Sequence, residues 1–167
     1  MNFVKKKERV IFLLLLMAQL GCAQIKDRAY NNMLHSLLEH DGPEISIEDA
    51  AQKMNYIFLD AREPREYEVS HIRDARLIGY KKVSPVLLSG LHTADSIIVY
   101  CSVGYRSEKM AARLRGMGFV NVFNLYGGIF EWVNSGLPVY NKEGVTDYVH
   151  PYNRYWGVWL KNGRKKN

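Results

Sequence analysis

Hydrophobic residues along the chain follow two patterns, short continuous runs and helix-spaced positions. Runs rich in β-branched and aromatic residues predict strands at 44–46, 56–62, 75–80, 96–101 and 121–128. Apolar residues three or four positions apart, together with capping residues, predict helices at 26–40, 47–54, 84–91, 107–118 and 129–136. Because strands alternate with helices, the pattern predicts an α/β fold with a mostly parallel central sheet flanked by helices.

Local signals mark several boundaries of these elements. Residues 41–43 (Asp-Gly-Pro) end the first helix, and Ser46 with Asp49 forms a capping-box-like start for the second. Gly116 and Gly118 close helix 107–118. The segment 63–69 carries a proline in its second position and is interpreted as a loop or a short helix.

The first 22 residues have the pattern of an export signal rather than of a folded element. Basic residues at positions 5, 6, 7 and 9 precede the apolar run VIFLLLLMA (10–18), and small residues follow at 21–23. That run is far shorter than the ~20 apolar residues of a membrane-spanning helix. The segment AQLGCAQ resembles a bacterial lipoprotein signal, in which the cysteine is lipidated. We therefore expect a lipid on Cys22 and a membrane-anchored, exported protein; ordinary cleavage after Ala23 is the alternative.

The positive charge of the chain is concentrated at its two ends. The formal net charge is +6, but residues 22–147 contain 14 basic and 16 acidic side chains, a balance of −2. Residues 148–167 contain five basic residues and no acidic one. A body of this charge gives no support to a nucleic-acid partner.

The cysteine count restricts the chemistry further. With Cys22 lipidated or removed, Cys101 is the single thiol of the mature protein, which excludes an intramolecular disulfide. A structural zinc site is excluded as well, because the sequence offers neither a second cysteine nor a spaced histidine pair. We expect no metal and no cofactor.

Cys101 stands where the strand 96–101 gives way to a helix expected to start at about Ser107. Ligands of parallel α/β sheets bind at such carboxyl ends, and the free N–H groups of the following helix face back towards the loop. Arg106 adds positive charge, and Gly104 permits a tight backbone with inward N–H groups. These surroundings stabilise a thiolate nucleophile, whereas a lone buried cysteine is more often a small hydrophobic residue.

Three motifs resemble the single-domain rhodaneses, the thiosulfate-type sulfurtransferase family. CSVGYRS (101–107) is similar to the family's active loop, CxxGxRS. LDAREPREYEVSHIRDARLI (59–78) resembles its upstream motif, and RLRGMGFVNVFNLYGGIFEWVNSGLPV (113–139) resembles its C-terminal part. Ser70 departs from the family, which commonly has glycine before the histidine. The resemblance covers a rhodanese domain at 44–140. With the signal segment at 1–22, this leaves a helical extension at 23–43 and an aromatic, basic extension at 141–167.

The resemblance also implies a mechanism and a set of site residues. Cys101 takes a sulfane sulfur from a small-molecule donor, holds it as a persulfide and passes it to an acceptor. The backbone N–H groups of the loop cradle that sulfur; the loop comprises Ser102, Val103, Gly104, Tyr105 and Arg106. Arg106 either braces the loop or attracts an anionic donor such as thiosulfate. Asp60 and Arg62 either orient Arg106 and the loop or form a structural salt link, and His71 is structural in the family motif.

Other functions stay open at this point. Cysteine phosphatases and arsenate reductases are the rival enzymes, but the C-x4-R spacing of Cys101 and Arg106 is one residue tighter than the C-x5-R of phosphatases. A rhodanese module used for binding or redox sensing through Cys101 is the more serious alternative. The aromatic residues of 148–167 either cover apolar surface, or wall the active loop, or meet a membrane surface or a partner.

Overall fold

A five-stranded parallel sheet forms the centre of the fold. In this computed structural model, which describes residues 25–53, 55–81 and 85–167, the strands lie in the order β1-β5-β4-β2-β3. They are β1 (Glu44–Ile45), β2 (Ile57–Asp60), β3 (Arg76–Leu77), β4 (Ser96–Tyr100) and β5 (Asn121–Leu125). The predicted parallel α/β sheet is confirmed. The expected signal segment and Cys22 lie outside the described residues.

The helices lie on both faces of this sheet. They are α1 (Arg28–Leu37), α2 (Ile47–Ala51), α3 (Pro64–Val69), α4 (Tyr105–Gly116) and α5 (Gly128–Asn134). The segment 63–69 is therefore a helix, with its proline at the first position, where the missing N–H costs nothing. The helix expected at 84–91 is a 3-10 turn, Pro85–Leu88.

Strand β4 explains why the run 96–101 is continuously apolar. Ile97 and Val99 pack on one face of the sheet, in a buried cluster that includes Leu114 of α4. Ile98 and Tyr100 pack on the other face, in the cluster that includes Phe130 of α5. A strand covered on both faces alternates between two cores, so its sequence shows no polar alternation.

Several predicted strands end earlier in the structure than in the sequence pattern. After β3 the backbone N–H groups of Ile78 and Gly79 both donate to the carbonyl of Asp60, at 2.9 and 3.2 Å, and the ladder stops. Strand β5 ends at Leu125, before Gly127 and Gly128, which both adopt positive φ. At the carboxyl edge Asp60 of β2 is paired with Tyr100 of β4, so the segments that follow these strands start side by side.

The C-terminal residues fold back onto the domain. Strands β6 (Val139–Asn141) and β7 (Gly144–Thr146) form a hairpin, and β8 (Tyr148–Val149) pairs with β9 (Arg164–Lys165). Between them the 3-10 turn Trp156–Trp159 places the Trp159 ring on Tyr30 of α1, with centroids 5.3 Å apart. The prediction that the aromatic residues cover apolar surface is confirmed for Trp156 and Trp159.

Tyr152 and Tyr155 are the exposed aromatic residues of the tail, with 39% and 70% of their surface exposed. None of the helices in the described part of the chain has the length and hydrophobicity that a membrane span requires.

Candidate active site

Cys101 directly follows β4 and lines a cavity of about 760 Å³. The residue itself is buried, with 1% of its surface exposed. Helix α4 begins at Tyr105, two residues before the expected start at Ser107. The loop that carries the thiol is therefore only Cys101–Gly104, and Arg106 belongs to the first turn of the helix rather than to the loop.

Gly104 brings a backbone N–H group against the sulfur. Its φ of +120° lies in a region that residues with a Cβ rarely adopt. In this conformation the Gly104 N–H donates to Cys101 Sγ, with an N···S distance of 3.2 Å. The next N–H groups open α4, where the first turn of a helix has no internal acceptor for them. The positive end of α4 thus faces the thiol, as the sequence predicted.

Helix α5 binds the carbonyl groups of the loop through its first backbone N–H groups. The N–H groups of Ile129 and Phe130 donate to the carbonyls of Cys101 and Ser102, at 2.9 and 3.1 Å. This approach requires glycine at position 128, since a Cβ there would lie 2.5 Å from the Cys101 oxygen. With its carbonyls bound to α5, the loop is fixed on the side away from the cavity.

Arg106 is bound to a buried carboxylate, Glu66 of α3. Its two terminal nitrogens each lie 2.7 Å from one oxygen of Glu66, and Nη2 also lies 3.0 Å from Ser102 Oγ. The Ser102 hydroxyl in turn donates to Glu66 Oε1 at 3.1 Å. The Glu66 side chain is fully buried and that of Arg106 is 13% exposed. This bidentate arrangement braces the loop and uses the fork geometry of the guanidinium.

The electrostatics of this pair favour its charged form. Burial opposes ionisation of Glu66, but the Arg106 hydrogen bonds and charge, the Glu63 N–H and Arg62 outweigh it and lower the pKa to about 2. The same contact raises the pKa of Arg106 against the effect of its own burial. Arg106 is therefore engaged within the protein, which supports bracing rather than donor attraction.

Asp60 and Arg62 form a separate buried ion pair. Arg62 Nη2 lies 2.7 Å from Asp60 Oδ2 and 2.6 Å from the carbonyl of Ser70, and both side chains are fully buried. In the described chain the hydrogen bonds of Arg106 go to Glu66 and Ser102 rather than to this pair. Asp60 and Arg62 thus act at a distance, by tying the two ends of the segment that carries α3.

His71 is not among the residues that line the cavity of the thiol. Its ring stacks on Tyr67 with centroids 4.0 Å apart, and its Nδ1 lies 3.1 Å from the Tyr67 carbonyl. These contacts fit the structural part that the family motif implies for it.

Ser107 and Asn124 hold the start of α4 through hydrogen bonds. The Ser107 hydroxyl lies 3.0 Å from the Gly104 carbonyl and 2.7 Å from Asn124 Oδ1. Both residues are buried, so these contacts fix the first turn of α4 against β5. The structure thereby explains why a small hydroxyl residue follows the arginine in the loop motif.

The cavity is lined by residues from four parts of the chain, which together form its rim and floor. They are Glu63, Pro64, Arg65, Tyr80, Lys81, Cys101, Ser102, Val103, Tyr105, Arg106, Tyr152 and Trp156. All the predicted loop residues except Gly104 are among them. Among the described residues no group of three histidine, cysteine or acidic side chains is placed to hold a metal ion.

Comparison with known families identifies this arrangement. The Rhodanese-like domain family matches residues 46–135, more than half of the chain. The chain belongs to the rhodanese-like family. Its thiol loop, Arg106 and four of the five strands of the parallel sheet, β2 to β5, lie within the matched range, and the fold predicted from the sequence is confirmed as rhodanese-like.

Individual relatives show how far the likeness extends. A sulfurtransferase of Allochromatium vinosum is 31% identical over 105 residues, which is 60% of this chain and 97% of the relative. A tRNA uridine(34) hydroxylase of Sodalis glossinidius is 37% identical over 92 residues, half of this chain but 26% of the hydroxylase. Among solved structures, the BH2092 protein of Bacillus halodurans has a TM-score of 0.56 and 26% identity, covering 71% of this chain and 88% of its own.

Sequence reasoning missed one residue of this rhodanese-like site and left the role of two others undecided. Glu66 is part of the upstream motif 59–78, and its carboxylate could have indicated an internal partner for Arg106. Tyr152 and Trp156 lie beyond the family range, and no local pattern of the tail indicates which of its aromatic residues reach the cavity. The possibility that the tail walls the active loop is confirmed for these two residues.

Proposed function

We propose that this rhodanese-like protein is a sulfurtransferase that carries a sulfane sulfur as a persulfide on Cys101. The observation that carries the proposal is the position of the thiol, at the floor of a cavity with the Gly104 N–H 3.2 Å from Sγ. The sulfurtransferase relative that is covered over 97% of its length supports the same reaction class.

The proposed reaction has two displacement steps. In the first, the Cys101 thiolate attacks the outer sulfur of a donor such as thiosulfate; the donor S–S bond breaks and sulfite leaves with the bonding pair. In the second, a nucleophilic acceptor such as cyanide attacks the terminal sulfur of the persulfide, and the thiolate is restored. Both the thiolate and the persulfide are anions, which the Gly104 N–H and the first turn of α4 stabilise.

Arg106 serves this reaction by holding the loop. Its guanidinium is bound to Glu66 and Ser102, so the conformation of residues 101–104 is set before a donor arrives. A loop organised in advance needs no rearrangement as negative charge moves along the sulfur chain. The C-x4-R spacing leaves room for one anionic sulfur at the loop, which supports sulfur transfer over phosphate chemistry.

The test is sulfur transfer from thiosulfate to cyanide by the wild-type protein and by the Cys101→Ala variant. We expect wild-type turnover, a mass increase of one sulfur atom on Cys101 when the acceptor is omitted, and loss of both in the variant. Equal activity in the two proteins would contradict the mechanism. No transfer from any donor, together with a readily oxidised Cys101, would favour a redox or binding module instead.

We further propose that the protein is exported and anchored through a lipid on Cys22. The support is the sequence of residues 1–22, with its basic start and short apolar run. Mass spectrometry of the protein purified from its native membrane fraction should show an acylated Cys22 at the mature N-terminus. An unmodified N-terminus at Gln24 would refute the lipid anchor.

A further inference from the structure

Basic residues are concentrated in the segment 161–166, outside the site of the thiol. They are Lys161, Arg164, Lys165 and Lys166, and all four are exposed. The segment contains no acidic residue, and none of the four basic residues lines the cavity above Cys101. We call these four residues the basic edge. The proposed sulfur transfer gives them no part.

The basic edge is fixed on the domain by backbone hydrogen bonds. Asn134, the last residue of α5, accepts the N–H groups of Lys161 and Asn162 on its Oδ1, at 2.8 and 3.2 Å. Further along, β9 pairs with β8, and the N–H of Lys166 donates to the carbonyl of Val149 at 3.1 Å. The fold therefore sets the positions of the four cations.

Aromatic rings lie beside three of these cations. The charged groups of Arg164 and Lys166 lie 4.5 and 5.2 Å from the centroid of the Tyr148 ring. Two residues that are two positions apart on a strand share a face, so this ring holds both side chains on one side of β9. Lys161 Nζ lies 5.8 Å from the centroid of the Trp159 ring. Tyrosine and tryptophan next to exposed cations are typical of the boundary between a membrane and water.

The charge of the basic edge is only partly balanced within the protein. Asp27 Oδ2 lies 3.8 Å from Lys161 Nζ, and Asp147 Oδ2 lies 4.0 Å from Arg164 Nε. Exposed pairs of this kind contribute little. In the part of the chain that the structure describes, neither Lys165 nor Lys166 has an ion-pair partner within 4.0 Å. Four cations thus face two carboxylates, and the surplus is available to an anionic partner.

The contact between Lys161 and Asp27 places the basic edge next to the N-terminal side of the domain. Asp27 is five positions after Cys22, and five residues span at most about 18 Å even when fully extended. With a lipid on Cys22, the bilayer surface therefore lies within about that distance of Asp27 and of the Lys161 beside it. Anionic headgroups attract basic side chains that are held close to such a surface.

We propose that the basic edge docks the domain onto a bilayer surface of anionic phospholipids. Its location next to the anchored end rests on the proposed lipid on Cys22, whereas its charge does not. A bilayer needs to meet one face of the protein only. A long polyanion such as nucleic acid would also meet the body of the chain, residues 22–147, whose side chains have a balance of −2.

The experiment measures cosedimentation of the mature chain that begins at Gln24 with lipid vesicles. This chain includes every residue that the structure describes and carries no lipid. We expect it to bind phosphatidylcholine vesicles with about one-third phosphatidylglycerol, to ignore phosphatidylcholine alone, and to dissociate as salt is added. Each basic residue close to the surface strengthens binding about fivefold, so the double variant Lys165→Gln/Lys166→Gln should bind about 25-fold more weakly.

A matched double variant, Arg76→Gln/Arg113→Gln, removes the same amount of charge elsewhere. Both arginines are exposed; Arg76 lies on the edge strand β3, and Arg113 lies on α4, across the sheet from α5. This variant should bind within about twofold of the wild type, because salt screens charges far from the surface. Equal weakening in both double variants would assign the binding to overall charge and overturn the proposal. Tighter binding to duplex DNA than to the anionic vesicles would overturn it as well.

This assay and the mass spectrometry of the N-terminus have independent outcomes. Acylated Cys22 without phosphatidylglycerol-dependent binding of the lipid-free chain would leave the anchor standing and refute docking through the basic edge. Phosphatidylglycerol-dependent binding that is lost in Lys165→Gln/Lys166→Gln, with an unmodified start at Gln24, would refute the anchor and support the basic edge.

Discussion

The Glu66→Gln variant tests whether the buried Arg106–Glu66 pair holds the thiol loop. Glutamine keeps the size of the side chain and removes its charge, so the fork of Arg106 faces a neutral amide. The contact at stake comprises two charge-assisted hydrogen bonds of 2.7 Å and a third bond from Ser102 at 3.1 Å. We expect lower stability and weaker sulfur transfer, because the loop loses its brace and a buried guanidinium loses its counter-ion.

The magnitude follows from the ionisation of Glu66. Its pKa falls from an ordinary 4.5 to about 2 in the folded protein. Each tenfold change in proton affinity corresponds to about 1.4 kcal/mol, so the folded environment favours the carboxylate by about 3 kcal/mol. Glu66→Gln should therefore lower the free energy of unfolding by about 3 kcal/mol at neutral pH.

The assay is urea denaturation followed by tryptophan fluorescence, with Glu68→Gln as the control on the same helix. Glu68 is exposed, and its replacement should change the free energy by less than about 0.5 kcal/mol. The sign of the pH dependence follows from the lowered pKa. The contribution of Glu66 is complete above about pH 4.5 and is lost as the pH falls towards 2. A Glu66→Gln variant as stable as Glu68→Gln at neutral pH would refute the reasoning.

Two further predictions concern the supports of the site. Arg62→Met leaves the Asp60 carboxylate buried without its counter-ion and should lower the free energy of unfolding, measured by urea denaturation, by about 3–5 kcal/mol. Arg76→Met, at an exposed position, should lower it little, and similar losses in the two variants would contradict this assignment. Gly128→Ala places a Cβ 2.5 Å from the Cys101 oxygen at a φ of +58° and should cost about 2 kcal/mol or more. In Gly116→Ala the new Cβ meets no atom within 4 Å, and the substitution should stabilise the protein by about 0.4–1 kcal/mol. If Gly128→Ala and Gly116→Ala were both destabilising, the close approach at position 128 would not explain the effect of Gly128→Ala.

The sequence was sufficient to predict the sheet and the position of the thiol. The run 96–101 is apolar because β4 is covered on both faces, and Cys101 follows it as expected. The predicted start of α4 at Ser107 was wrong by two residues. Gly104 with its positive φ serves as the N-cap, and no side-chain capping motif signals that position.

The sequence pattern does not predict which residues far apart in the chain contact each other. Glu66 and Arg106 are 40 residues apart, and only the packing of α3 against the loop decides that they meet. The same holds for Tyr152, which reaches Arg106 through the turn after His150. Periodicity reports which face of an element is buried, but it does not report which buried polar groups pair with one another.

The bonds between α5 and the loop carbonyls have a consequence for biosynthesis. Ile129 and Phe130 come after Cys101 in the chain, and they bind the carbonyls of Cys101 and Ser102. A nascent chain that has emerged only as far as α4 therefore has the thiol but not the support that fixes its loop. Because chains are made from the N-terminus, the thiol loop gains this support only after the residues up to Phe130 have left the ribosome. Such an order keeps the cysteine from acting as an organised nucleophile while the protein is still being made.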